Sequence, residues 1–454
     1  MSTDDRVAVT TGIARLHASP GLAGPGRLGL VTNHTGVLPD LRPAAPALLA
    51  AGVRLVALFG PEHGLHGTGQ AGESEDAERD PATGLPVHDT YRCDGERLDQ
   101  LLRASGVDAL VYDLQDIGAR FYTYVWTMYD LMVSAARTGV RFVVADRPNP
   151  LGGLVSEGPL LDPEWASFVG RAATPVRHGL TCGELARLLN TAAVPRAAGR
   201  AADLTVIEAA GWRRHMDAGA TGLPWVAPSP NIPTPATAAV YPGTCLFEGT
   251  NLSEGRGTTQ PFEIVGAPWI DARFAPSLAA LALPGVRFRE LRYVPAFHKH
   301  AGRPLRGVQL HVTDRASFAP VRTAVAMLAV LRRLYPDDFA WRGTDDGTGD
   351  GARADGDTID GAQAGGDTGS GADTSIGSGA DTSTGSGADT RSDGGADTSA
   401  GGGAARSRHR PFIDLLWGSD RLRRAIDAGD DPLPLCDPPS PPRRWAGDDV
   451  LLYS

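Results

Sequence analysis

Four apolar segments, each running into a cluster of polar residues, restrict this chain more than any other feature. Residues 28–32 lead into Asn33 and His34, and residues 55–59 into Gly60-Pro61-Glu62-His63-Gly64. Residues 109–112 lead into Asp113-Leu114-Gln115-Asp116, and 142–145 into Asp146-Arg147-Pro148-Asn149. Between these strands lie helical patterns at 44–51, with Pro46 in the first turn, at 98–104 and at 122–137. Such alternation predicts a mostly parallel, Rossmann-like α/β sheet. Ligands of such sheets bind in the crevice beyond the carboxyl ends of the strands. The polar clusters therefore converge on one region, which is the candidate active site.

Beyond the fourth strand the pattern loosens. Thr181 and Glu184 have capping-box spacing ahead of a helix over 182–190, and 204–208 reads as a further strand. The run Pro228-Ser229-Pro230-Asn231-Ile232-Pro233-Thr234-Pro235 is too rich in proline for a helix or central strand and reads as an ordered connector. A second, smaller α/β domain follows, with strands at 286–291 and 308–312 and helices at 318–334 and 419–428. The expected division is 1–234 for the Rossmann-like catalytic domain and 235–454 for the smaller one. Residues 343–405, built from repeated Gly-Ala-Asp-Thr and Gly-Ser units, hold too little apolar surface to offset chain entropy and are expected to be disordered. The rest of the 454-residue chain is ample for two cores.

A net charge of −10 argues against nucleic acid or an anionic membrane as the main partner, and no apolar run is long enough to cross a bilayer. Met1-Ser2-Thr3-Asp4-Asp5 lacks the basic start and apolar core of a signal peptide, so a cytoplasmic location is expected. Cys93, Cys182, Cys245 and Cys436 stand far apart and read as reduced structural residues. Neither a Walker loop nor a GxGxxG fingerprint follows the first strand, which disfavours a nucleotide cofactor.

Two segments concentrate chemistry. In Phe59-Gly60-Pro61-Glu62-His63-Gly64-Leu65-His66-Gly67, glycines let the backbone turn sharply and present a carboxylate and two imidazoles at a strand end. Glu62 is either a general acid or a loop cap, and His63 and His66 are either metal ligands or loop hydrogen-bonders without a third ligand at recognisable spacing. Phe247 to Thr259 holds Glu248, Asn251, Glu254 and Arg256 among glycines and hydroxyls, a composition suited to a polyhydroxylated or anionic ligand or to a charged turn. Asp113, Asp116, Arg120, Tyr122 and Tyr124 join strand to helix, where Asp116 serves as a helix cap or in catalysis and the tyrosines as stacking faces or core. Asp146, Arg147 and Asn149 either complete the rim or fix their own loop.

Gly60-Pro61-Glu62-His63-Gly64, residues 113–120, Asp146-Arg147-Pro148-Asn149-Pro150 and Phe247-Glu248-Gly249-Thr250-Asn251 through Gly257-Thr258 resemble the exo-β-N-acetylmuramidase family, formerly a domain of unknown function. The likeness runs from about 28 to 342 and resumes at 411–429. It implies a Rossmann-like domain packed on a smaller α/β domain. It further implies a glycoside hydrolase that removes terminal β-linked N-acetylmuramic acid from the non-reducing end of peptidoglycan fragments. The corresponding catalytic acid is Glu62, with Asp116, Glu73 and Glu254 as candidates for a second catalytic group. Arg256 or His63 would recognise the lactyl carboxylate, and Asn33, His34, Asp113, Arg120, Tyr122, Tyr124, Asp146, Asn149, Glu248 and Asn251 would bind substrate. No metal or cofactor is expected, and the partners are peptidoglycan-derived disaccharides or muropeptides. A non-catalytic sugar-binding protein and a metal-dependent hydrolase are the alternatives.

Overall fold

The computed structural model describes residues 9–75, 78–343, 410–436 and 440–454. Its larger sheet contains β1 (Leu28–Thr32), β2 (Leu55–Gly60), β3 (Val87–Asp89), β4 (Ala109–Asp113), β5 (Arg141–Ala145) and β6 (Leu204–Ile207). All are parallel, in the order β3-β2-β1-β4-β5-β6. Every residue of β1 and β4 is buried, as expected for parallel strands covered on both faces. Alternate side chains feed two cores. Leu30, Leu58 and Val111 pack with helices Gly12–Ala18 and Ala44–Ala50, while Val31, Phe59, Leu110 and Tyr112 pack with Gly95–Ser105, Tyr124–Thr138 and Cys182–Thr191.

From β1 the chain winds outward through β2 and β3, then returns to the other side of β1 at β4. That reversal is the topological switch point, and a crevice opens beyond the carboxyl ends of β1 and β4. The capping box at Thr181 is complete: its hydroxyl accepts from the Glu184 amide (3.2 Å), and the Glu184 carboxylate accepts from the Thr181 amide (3.1 Å).

The smaller domain has an antiparallel sheet, β7 (Ile264–Ala267), β9 (Leu305–Val312) and β8 (Val286–Tyr293), in the order β7-β9-β8. Helix Pro235–Thr244 packs so closely on helix Pro320–Leu334 that a Cβ on Gly243 would lie 2.0 Å from the Pro320 carbonyl oxygen. Phe121, Tyr122, Tyr241 and Phe262 stack edge to face and carry the apolar core from one sheet region into the other.

Strand β3, strand β7 and the helix Pro235–Thr244 do not figure in the sequence reading. The first two are three and four residues long, and the helix contains Pro242, so neither periodicity nor propensity marks them. Its start is nonetheless conventional, with Pro235 in the first turn and the Thr234 hydroxyl accepting from the Thr237 amide (3.1 Å). The low-complexity stretch lies, except for Gly343, outside the described residues. Where the described chain resumes, Gly343 and Pro411 form an antiparallel bridge and the Phe412 amide donates to the Arg342 carbonyl. Helices Phe412–Trp417 and Arg421–Ala428 then pack against the rest of the domain.

Candidate active site

Between the strand ends and the smaller domain lies an open cleft. The parallel-sheet side contributes Glu62, His63, Tyr122 and Thr123; the proline-rich connector contributes Ser229 and Asn231; the smaller domain contributes Tyr241, Cys245, Glu248, Arg256 and Phe262.

Glu62 is held at the end of β2 by a strained turn. His63 and Gly64 both have positive φ, 71° and 79°, a conformation that histidine adopts at an energetic cost. The turn persists because the His63 amide donates to the Glu73 carbonyl (2.9 Å) and Nδ1 lies 2.9 Å from the Gly69 carbonyl oxygen. A carbonyl only accepts, so Nδ1 carries a proton. Glu62 itself is 6 % exposed, its Oε1 accepting from the Gly72 amide (2.8 Å) and its Oε2 from the Thr123 hydroxyl. Thr123 occupies the N-cap position of helix Tyr124–Thr138 without capping it, because its hydroxyl is turned to Glu62. A cap of this kind is worth about 1 kcal/mol, so the geometry favours the carboxylate over the helix.

On the smaller domain, Glu248 and Arg256 meet in a charge-assisted contact, with Nε donating to Oε1 at 3.0 Å and Nη2 at 2.5 Å. The Glu248 Oε2 has the Cys245 thiol at 3.5 Å. Behind Arg256 lies Glu254, fully buried, with Lys299 Nζ at 2.8 Å and His298 Nδ1 at 3.1 Å. Burial opposes the charge on Glu254, but Lys299, His298 and Arg256 outweigh it and hold the carboxyl well below the usual carboxylate range. Lys299 Nζ also donates to the carbonyls of Phe247 (2.9 Å) and Leu252 (2.8 Å), tying the array to the loop backbone. Arg256 in turn lies 5.0 Å from the centre of the Phe262 ring.

The profile of the N-terminal domain of exo-β-N-acetylmuramidase NamZ matches residues 28–236, and that of its C-terminal domain matches 239–436. The peptidoglycan β-N-acetylmuramidase NamZ of Bacillus subtilis (strain 168) is 46% identical over 320 residues, covering 70% of this chain and 76% of that protein. The chain belongs to the exo-β-N-acetylmuramidase NamZ family. A DUF1343 family protein from Bacteroides fragilis, known from its crystal structure, is 38% identical, with a TM-score of 0.66 over 73% of this chain and 84% of that one. A second from the same organism is 24% identical with a TM-score of 0.64, covering 98% and 99% of the two chains, and shares the fold.

In this member of the NamZ family, Glu62, His63, Tyr122, Glu248 and Arg256 reach the cleft together. The three candidates for a second catalytic group do not line it. Asp116 points back into the protein, its Oδ2 accepting from the Gly118 amide (2.7 Å) and lying 3.2 Å from His178 Nε2. Glu73 is exposed and accepts from the Gln70 amide (2.8 Å), and Glu254 stands behind Arg256. Asn33 and Tyr124 brace the floor: the amide of Asn33 donates to the Tyr124 hydroxyl (2.9 Å), which donates to the Pro228 carbonyl (2.7 Å). His34 Nε2 lies 2.6 Å from the Ala227 carbonyl oxygen, and burial lowers its pKa.

The other expected ligand-binding residues are committed to the framework. Asp113 is wholly buried in a bidentate pair with Arg147 (2.6 and 3.0 Å). Asp146 accepts from Thr181, Gly183, Arg147 and Tyr453, and burial still pushes its pKa up to about 6. Arg120 donates to the carbonyls of Pro159, Thr174, Leu416 and Trp417. Asn149 bonds Leu180 and Leu151, and Asn251 bonds Asp338 and Ala340. His66 is exposed and lies 3.0 Å from Glu75 Oε2. Among the described residues no three His, Cys, Asp or Glu side chains are grouped to hold a metal ion. Thr123, Ser229, Asn231 and Tyr241 are cleft residues that sequence reasoning passed over. Only Ser229 and Asn231, polar residues inside a proline-rich connector, carry a mark in the sequence; nothing marks Thr123 or Tyr241 before the fold sets Thr123 beside Glu62.

Proposed function

We infer that this protein is an exo-acting glycoside hydrolase that releases terminal β-linked N-acetylmuramic acid from the non-reducing end of peptidoglycan fragments. Family membership supports the activity, and the observation that carries its assignment to this cleft is the setting of Glu62. Glu62 acts as the catalytic acid: its carboxyl proton passes to the glycosidic oxygen as the bond to the anomeric carbon breaks, and water completes the hydrolysis. The Gly72 amide and Thr123 hydroxyl fix its two oxygens and therefore its direction. Tyr122, Tyr241 and Phe262 offer aromatic surface to a sugar ring, and Ser229 and Asn231 offer hydrogen bonds to its hydroxyl and acetamido groups. Arg256 or His63 is assigned to the lactyl carboxylate, the group that separates muramic acid from glucosamine.

We assign substrate supply to disaccharides or muropeptides and the enzyme to the cytoplasm, a placement supported by Cys93, Cys182 and Cys245, which are buried free thiols. We place the boundary between the domains at Thr234, where the connector gives way to the helix it caps. The test is incubation of purified protein with MurNAc-β-1,4-GlcNAc, with and without chelator, alongside Glu62→Gln. The expected result is chelator-resistant release of free N-acetylmuramic acid by the parent and none by the folded variant. Turnover by Glu62→Gln at the parent rate would remove Glu62 from the chemistry, loss of release with chelator would point to a metal-dependent hydrolase, and saccharide binding without turnover to a sugar-binding protein.

A further inference from the structure

Glycoside hydrolysis ordinarily engages two carboxyl groups on either side of the scissile bond. Apart from Glu62, the cleft-lining residues include one other carboxylate, Glu248, and it stands on the wall built by the other domain. We propose that Glu248 is the second catalytic carboxylate, a role that rests on the glycosidase reading above.

Its surroundings separate its two oxygens. Oε1 takes both donations from Arg256, so the side chain is held in one direction. Among the described residues Oε2 accepts only from the Cys245 thiol, a weak donor, at 3.5 Å. Arg256 is itself fixed from behind by Glu254, whose charge is met by Lys299. The loop Phe247–Arg256 thus uses its buried charges to aim one carboxylate oxygen at the cleft, and side-chain exposure rises from 0% at Glu254 to 16% at Glu248 along that array. With water as the nucleophile, Oε2 takes a proton from the water as the water oxygen bonds to the anomeric carbon. The bond from that carbon to the glycosidic oxygen breaks, and the departing oxygen takes the Glu62 proton. Exchange with solvent then resets both carboxyl groups.

The experiment compares parent, Glu248→Gln and Glu248→Ala on MurNAc-β-1,4-GlcNAc, then adds sodium azide to the alanine variant with 4-nitrophenyl β-N-acetylmuraminide as substrate. Folding is checked by thermal unfolding and by N-acetylmuramic acid binding to the glutamine variant, which keeps an oxygen facing Arg256. Loss of a base or nucleophile is expected to lower kcat by at least about 10²-fold. Azide is expected to restore turnover and to appear in the product as the α-glycosyl azide, having entered the space left by the carboxylate. Turnover of Glu248→Gln within tenfold of the parent would overturn the assignment. So would loss of turnover with retained sugar binding and no azide product, which would leave Glu248 a positioning residue for Arg256. Failure of the parent itself to cleave the disaccharide would instead overturn the glycosidase reading and this assignment with it.

Discussion

Replacing Glu157 by glutamine is expected to stabilise the protein at alkaline pH and to leave it nearly unchanged in mild acid. Glu157 is 2% exposed, and its Oε1 accepts from the Arg322 amide (2.9 Å) in the first turn of helix Pro320–Leu334. That helix has Ala319 at its N-cap, which offers no side-chain acceptor, so Glu157 caps it from across the structure. A helix N-terminus favours a carboxylate, and Arg177 lies close enough to favour it too. Burial nevertheless dominates these terms and pushes the Glu157 pKa from 4.5 up to about 7.

The direction of the pH dependence follows from linkage. A carboxyl whose folded pKa exceeds its unfolded value binds its proton more tightly in the folded state. The associated stability is fully present below about pH 4.5 and is lost as pH rises through about 7. A shift from 4.5 to about 7 corresponds to about 3 kcal/mol at pH 8. Glutamine has the uncharged form at every pH and still offers an oxygen to the Arg322 amide. The difference between variant and parent, measured by urea unfolding from pH 5 to pH 8, is therefore expected to grow from under about 1 to about 3 kcal/mol in favour of the variant. Other raised carboxyls, such as Asp146 and Asp130 at about 6, titrate in both proteins and cancel in the difference. A variant equal to or weaker than the parent at pH 8 would show that the helix dipole and Arg177 outweigh burial at Glu157.

Arg120→Met leaves the carbonyls of Pro159, Thr174, Leu416 and Trp417 without their donor and is expected to cost more than about 4 kcal/mol, read by thermal or urea unfolding, with KM unchanged in whatever folds. Thr123→Val removes a hydrogen bond to Glu62 worth roughly 1.5–3 kcal/mol, so kcat should fall about 10- to 150-fold in steady-state assays. Because Thr123 does not cap its helix, unfolding of that variant should move by less than the roughly 1 kcal/mol that loss of a true cap costs.

The sheet was legible because its strands are long apolar runs and its helices carry amphipathic faces. The predicted starts at 28, 55 and 109 coincide with those of β1, β2 and β4, while the helix expected at 122 begins at Tyr124. The inference that four strand ends converge on one crevice located Glu62, His63 and Tyr122, all of which line the cleft. What sequence could not separate is the double use of polar residues at such ends. A parallel sheet buries its strand ends together with the loops that follow, and those loops carry amides and carbonyls that need partners. Asp113, Asp146, Asn149 and Arg120 meet that need, and each is spent on backbone or on an internal ion pair.

The same ambiguity explains the smaller domain. Glu248 and Glu254 lie six residues apart in one glycine-rich loop, and composition gives no reason to rank one above the other. The fold decides between them through Lys299, a residue some forty-five positions downstream, whose ammonium lies 2.8 Å from Glu254 and donates to two carbonyls of the same loop. A buried carboxylate costs several kcal/mol unless it is paired, so the glutamate nearest Lys299 becomes the anchor. Arg256 then passes that constraint forward, leaving Glu248 at the open end of the array with one oxygen unclaimed by a strong donor. A charge pattern in sequence identifies such a chain of residues; only the distance of each member from solvent assigns the end that meets a ligand.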